Sequence, residues 1–487
     1  MMKVKIDRYT KKILYVITFL SLLLLSGCKN TGVKVKGNNN FNQISLFQIY
    51  IDSNGNLISP IDKDIIKNEE RYIDNILNNY YKHKKYHKNL KLMIFIHGGL
   101  NDYNNSIDRS VNILNNNLED MLKNGKYPIF VSWNSSFIDN YLDHVSHSKQ
   151  VSNKKNILYY SLSPLIILKD ILRGVTKIPK NTYNLVMKLK KKSNEKLYSK
   201  TLDSVGDNFN VSSSQIEEKN TLKSIEDNWS MANPVKIIGG AFVDTIGKGP
   251  YHSMLKRVDL LLKKNINMES SPNLYNLKKY NMTKENETAL SYFLRKYKEI
   301  EKRSSNYNDK KYGKVVLIAH SMGTMVANNI ISKFQDINFE EIVYMGGACS
   351  LKDIKYTISP YLESNKKSKF YNLSLNPKRE VTENIGQDFI PRGSLLIYLD
   401  QTYENVNSFL DRTSGIWWNM IIAADQIFPA NIRKRVTLVK FGLYNDHTKA
   451  PQCHGEFDKF KFWNKEYWKA EDQTNQNLYI YNFAKHI

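Results

Sequence analysis

The residues with the most chemical promise stand in the run Lys314-Val315-Val316-Leu317-Ile318-Ala319-His320-Ser321-Met322-Gly323. An apolar stretch ends in a small residue, Ser321 follows between His320 and Met322, and a glycine leads into helix-compatible residues 324–334. The spacing predicts a buried strand, a sharp turn and a helix, with Ser321 at the tip of the turn. Such a turn strains the backbone of its middle residue and needs small neighbours so that strand and helix can pack together. A serine hydroxyl is a poor nucleophile at neutral pH. Chemistry at Ser321 therefore needs a base, a group that orients the base, and N–H donors for the oxygen that becomes charged. The non-catalytic use of a serine here is to cap the helix.

The small-x-Ser-x-Gly pattern of residues 319–323 resembles the G-x-S-x-G nucleophile elbow of the α/β-hydrolase superfamily, with Ala319 adding one methyl group in place of the first glycine. The resemblance spans residues 41–133 and 314–487. It implies a mostly parallel central sheet with helices on both faces, Ser321 as nucleophile, and the chain order Ser, acid, His. It also implies an oxyanion site made by the N–H groups of Gly99, in the His97-Gly98-Gly99 turn after an early strand, and of Met322. Past Phe441 the histidines are His447, His454 and His486; His454 is favoured because Cys453-His454-Gly455 sits in a turn-rich loop before Phe462 and Trp463. Glu380, just after the strand-like run 370–375 and the Asn376-Pro377 turn, is the expected acid. Asp400 is the alternative, followed by Asp353 and Glu383. The family reading is a serine esterase or lipase that requires no cofactor, with thioesters and amides open to the same machinery. The rival is a surface interaction protein that keeps the fold without activity.

The elements that must position these residues follow from periodicity. Residues 44–51 alternate like a strand, Asn54-Gly55 is a hairpin turn, and residues 62–81 and 105–123 carry apolar residues at helical spacing. Continuous apolar runs at 92–96, 127–133, 315–319, 342–345, 370–375 and 436–441 read as buried strands, with helices between several of them. About 180 residues separate Trp133 from Lys314, more than a crossover needs, so residues 134–313 are expected to be a mainly helical insertion or cap. In it, 157–175 is apolar and followed by a basic segment to Lys192; a lid or lipid-touching surface and a helical pair buried on the sheet are both open readings. Residues 193–220 read as loop, and a helix at about 287–303 leads to the Ser321 strand. A second insertion, 378–435, holds a strand-like run at 394–399.

Ahead of the fold, Lys3, Lys5, Arg8, Lys11 and Lys12 precede an apolar stretch at 13–25 that is too short to span a membrane, and Leu25-Ser26-Gly27-Cys28 closes it. This resembles a bacterial lipoprotein signal peptide of residues 1–27. It implies export, a lipid on Cys28, a flexible tether at 28–40 and a home in the cell envelope, at the outer membrane where a cell has two, since Lys29 is not the aspartate of inner-membrane retention. The net charge of +24 is spread along the chain without a nucleic-acid motif, which fits an anionic lipid surface or a plain compositional bias better than nucleic acid. An exported compartment permits a Cys349–Cys453 disulfide, though spacing does not decide whether they meet. No metal is expected: His83 and His87 stand among lysines, and no His, Cys or carboxylate grouping has zinc spacing. Gly239-Gly240 and Gly247-Lys248-Gly249 lack the phosphate-loop pattern.

Overall fold

The apolar runs pair side by side into one sheet. The computed structural model describes residues 41–87, 89–135, 195–218, 234–264, 286–304, 312–383, 392–403, 407–469 and 478–480, with a few positions between 173 and 183. The strands in chain order are β1 (Gln48–Ile51), β2 (Leu57–Ile58), β3 (Lys91–Ile96), β4 (Lys126–Trp133), β5 (Asn210–Ser213), β6 (Tyr312–His320), β7 (Ile337–Met345), β8 (Lys369–Ser374) and β9 (Val436–Lys440). They lie in the order β2-β1-β4-β3-β6-β7-β8-β9-β5. Only β2 runs antiparallel, across the Asn54-Gly55 turn from β1; every other pairing is parallel. This is an α/β fold.

Ten helices accompany the sheet among the described residues: α1 (Glu69–Tyr86), α2 (Tyr103–Lys123), α3 (Glu195–Asn208), α4 (Pro234–Leu260), α5 (Ala289–Ser304), α6 (Gly323–Lys333), α7 (Leu351–Ser364), α8 (Pro377–Thr382), α9 (Leu395–Tyr398) and α10 (Trp417–Ile427). Their starts obey local chemistry. Asn68 and Asp102 accept the N–H groups of Arg71 and Asn105 to cap α1 and α2, and Ser350 and Asp353 form a reciprocal capping box on α7. Helix α1 turns Ile73, Ile76, Leu77 and Tyr80 inward and packs on α5; α6 packs on β6 and α7, and α7 on α10. In β6, Val315, Val316, Leu317 and Ile318 have no exposed surface. Each such side chain contributes about 1.5–3 kcal/mol by leaving water, which makes β6 a firm base for the turn that follows it.

Three expectations change. The run at 394–399 is not a strand: α9 and one π turn, Leu399–Tyr403, occupy it, since an unbroken apolar run has no period that separates a buried helix from a buried strand. The polar stretch 193–220, read as loop, forms α3 and β5; Val205 and Phe209 anchor it in the core, Phe209 edge-on to Phe428, and β5 completes the sheet beside β9. Within 134–313, β5 extends the sheet and α5 packs on α1 and β6, so these parts belong to the core instead of a separate cap. Gly239, Gly240, Gly247 and Gly249 lie inside α4. Cys349 and Cys453 are free thiols, with the Cys349 sulfur 3.2 Å from the Ser414 hydroxyl. The leader, Cys28, the tether and nearly all of 157–175 lie outside the described residues.

Candidate active site

Ser321 sits between β6 and α6 with φ at +52°. For a residue with a β-carbon this costs on the order of 1–3 kcal/mol and persists only where neighbours over-determine it. They do so here. The Ser321 N–H donates to the Met345 carbonyl (3.0 Å), and the Ser321 carbonyl accepts from the Thr324 N–H (3.1 Å), the Thr324 hydroxyl (2.7 Å) and the Ala348 N–H (3.1 Å). Gly323 is required by close approach: a β-carbon there would lie 2.6 Å from the Ile96 carbonyl oxygen and 2.7 Å from that of His97. The final glycine of the motif thus lets α6 start against the end of β3. The first position, Ala319, pairs with Ile96 and Tyr344 in the sheet and tolerates its methyl group.

His454 opens the short 3₁₀ helix His454–Lys459, after β9. Its Nε2 stands 2.8 Å from Ser321 Oγ, so the hydroxyl can donate to the imidazole. Ser321 is 2 % exposed and His454 6 %. Burial, then the neighbouring His320, holds the His454 pKa well below the usual histidine range, which favours the neutral ring. His320 fixes the backbone of that residue: its Nε2 donates to the His454 carbonyl (2.9 Å).

The His97-Gly98-Gly99 turn lies over the elbow. A β-carbon on Gly98 would come within 2.8 Å of the Ser321 β-carbon, so only glycine fits. Neither the Gly99 nor the Met322 N–H has an acceptor among the described residues. Their loop is held from three sides. The Trp133 N–H donates to His97 Nε2 (3.1 Å), leaving the ring proton on Nδ1 to face the Gly98 carbonyl (2.5 Å). Asn101 Nδ2 donates to the carbonyls of Gly98 (3.0 Å) and Gly99 (3.2 Å), and Leu100, at φ +65°, donates its N–H to Ser135 (3.0 Å). Arg109 then joins this loop to the turn of His454, bonding Asn101 Oδ1 (3.1 Å) and Asp458 (2.6 Å). Burial, with Arg109 adding to it, pushes His97 down to about 3, so it stays a neutral structural ring.

The carboxylates divide clearly. Asp400 is committed elsewhere: it accepts from Arg412 (2.6 Å), the Thr413 N–H (2.9 Å) and Asn419 (3.1 Å). Asp353 is the α7 cap. Glu380 is buried, accepts from the Ser394 hydroxyl through Oε1, and has no partner at Oε2 among the described residues. Burial first, and Asp400 nearby, push it up to about 7. Glu383 accepts the backbone N–H of His454 (2.9 Å); burial and the adjacent Glu380 and Glu456 push it up to about 8. His454 Nδ1 has no hydrogen-bond partner among the described residues, and a β-carbon on Gly346 would stand 3.1 Å from it. Of the other late histidines, His447 pairs with Glu456 (2.8 Å), and His486 lies outside the described residues. A cavity of about 350 Å³ is lined by Tyr50, Ile58, Lys63, Tyr103 and Asn134 and includes neither Ser321 nor His454.

The chain matches no family model, no curated protein and no solved structure in comparisons with all three. The site geometry stands alone. It also holds residues that sequence reasoning missed. His320 was in view as the neighbour of the serine, but its bond to His454 joins positions 134 apart. Asn101, Ser135, Arg109 and Asp458 carry no spacing signal at all, because each acts through a contact between distant segments.

Proposed function

We propose that this chain is a serine hydrolase of the α/β-hydrolase type that cleaves carboxylic esters through an acyl-enzyme on Ser321. The observation that carries the reading is the 2.8 Å approach of Ser321 Oγ to His454 Nε2 by residues 133 positions apart. The strand order β4-β3-β6-β7-β8-β9 supports it: the serine turn follows central β6, the glycine loop follows its neighbour β3, carboxylates follow β8, and the histidine follows β9. Ser321 Oγ attacks the ester carbonyl carbon while its proton passes to His454 Nε2. The carbonyl π pair becomes an oxyanion held by the Gly99 and Met322 N–H groups, worth roughly 3–4 kcal/mol per donor. Collapse expels the alcohol, which takes the proton from Nε2, and water repeats the sequence on the acyl-enzyme.

For the acid, Glu383 is a better fit than Glu380 or Asp400. It already holds the His454 N–H, whereas Glu380 is tied to Ser394 and Asp400 to Arg412. The leader and Cys28 support export and a lipid anchor in the cell envelope, and together with the apolar run 157–175 they favour acylglycerols or phospholipids as substrates.

A second reading, a hydrolase-like fold that serves as an interaction protein without activity, is favoured by one observation: among the described residues no acid bonds His454 Nδ1. Hydrolysis of p-nitrophenyl esters of graded chain length separates the two. The enzyme reading expects turnover that Ser321→Ala reduces on the order of a million-fold; equal rates for the two chains refute it.

A further inference from the structure

Three side chains on the loop after β9 converge without any part in acyl transfer: His447, Cys453 and Glu456. One donor atom from each lies within 4.8 Å of the other two. His447 Nδ1 and Glu456 Oε1 are 2.8 Å apart. Glu456 Oε2 accepts the N–H groups of Gln452 (2.9 Å) and Cys453 (3.1 Å), and the Cys453 sulfur accepts the Glu456 N–H in a reciprocal cap. The three groups therefore form one built unit. Sequence spacing did not reveal it, because His447, Cys453 and Glu456 follow no familiar zinc pattern.

Imidazole, thiolate and carboxylate together suit a borderline-soft ion such as zinc, and suit calcium or magnesium poorly, since those take oxygen donors. Bonds of about 2.0–2.3 Å in a tetrahedral site set the donor atoms roughly 3.3–3.8 Å apart, so separations of up to 4.8 Å close by about 1 Å while the 2.8 Å His447–Glu456 pair opens by about 0.5 Å. The His447 side chain is 46 % exposed and free to make that adjustment, while the buried Glu456 is oriented by two backbone N–H groups, the outer support that metal ligands need. Lys459, 3.7 Å from Glu456 Oε1 on the same turn, and Arg379 are the cations whose charge acts on this cluster.

We propose that His447, Cys453 and Glu456 bind a zinc-class divalent metal ion, with water as the fourth ligand on the exposed His447 side. Binding replaces the Cys453 S–H bond by a sulfur–metal bond and releases one proton to solvent. The ion would cross-link the β9 loop to the cap of the turn that begins at His454. The site does not depend on Ser321 being catalytic.

The test is a titration of the chelator-treated full chain with Co²⁺ as a spectroscopic probe, followed by displacement with Zn²⁺. One equivalent of Co²⁺ should give a thiolate-to-metal charge-transfer band that Zn²⁺ abolishes and that Ca²⁺ and Mg²⁺ leave unchanged. Cys453→Ser keeps an oxygen cap on the turn and should lose the band, with Zn²⁺ affinity falling by at least about 100-fold. His447→Ala should weaken Zn²⁺ similarly, while His83→Ala should not. A chain that gives no band, or a band that survives Cys453→Ser because Cys28 or Cys349 supplies it, overturns the site, as does unchanged Zn²⁺ affinity in His447→Ala.

Discussion

His320 Nε2 donates a hydrogen bond of 2.9 Å to the backbone carbonyl of His454. The residue just before Ser321 thus holds the backbone of His454, and β6 fixes both ends of the Ser321–His454 contact. Loss of this bond lets the imidazole drift, and a misplacement of about 1 Å can cost on the order of 100-fold in rate. His320→Phe, which keeps the ring and removes the donor, should lower kcat by about 10- to 100-fold with KM little changed. Steady-state kinetics on a soluble ester check this; a kcat equal to that of the native chain removes His320 from the positioning role.

The three carboxylates make separable predictions. Glu383→Gln keeps an oxygen for the His454 N–H but removes the ionisable carboxyl, and should lower kcat by about 10³- to 10⁴-fold above pH 8, where Glu383, pushed up to about 8, carries its charge. Glu380→Gln should leave kcat within a few-fold. Asp400→Asn weakens a partly buried pair with Arg412 and should act on stability, by about 1–3 kcal/mol, with activity retained in the folded fraction. A large kcat loss in Glu380→Gln with none in Glu383→Gln would return the acid to Glu380.

Stability should fall as pH rises through the range set by Glu380. Its pKa in the folded chain is pushed up to about 7, above the ordinary glutamate value of 4.5. Between these values the folded chain binds more protons than the unfolded one, so protonated Glu380 is fully accommodated below about pH 4.5 and becomes a burden as pH passes 7. The loss is roughly 3 kcal/mol. Urea midpoints at pH 5 and pH 8 should differ in that direction, and Glu380→Gln should reduce the difference to the share of Glu383. A variant with an unchanged pH difference contradicts this account.

Much of this was legible in the sequence where a local rule acts. The strand, turn and helix around Ser321 follow from apolar β-branched residues and one obligatory glycine, and the His97-Gly98-Gly99 turn follows from two glycines after an apolar run. His454 was selected by loop chemistry and chain order. What stayed hidden depends on contacts across the fold. Leu395–Tyr398 has no period to reveal a helix, α3 and β5 are held by Val205 and Phe209 against a distant surface, and the engagement of Asp400 by Arg412 and Asn419 has no signature in spacing. The cluster at His447, Cys453 and Glu456 was hidden in the same way, since a tight loop brings its members together.

The central claim is that His454 activates Ser321, and covalent labelling tests it most directly. A fluorophosphonate probe should add one phosphonyl group to the intact chain, mapped by peptide mass spectrometry to Ser321. Labelling should vanish in Ser321→Ala and slow by orders of magnitude in His454→Ala. An intact, folded chain that takes no label, or one labelled at another serine, would contradict the account.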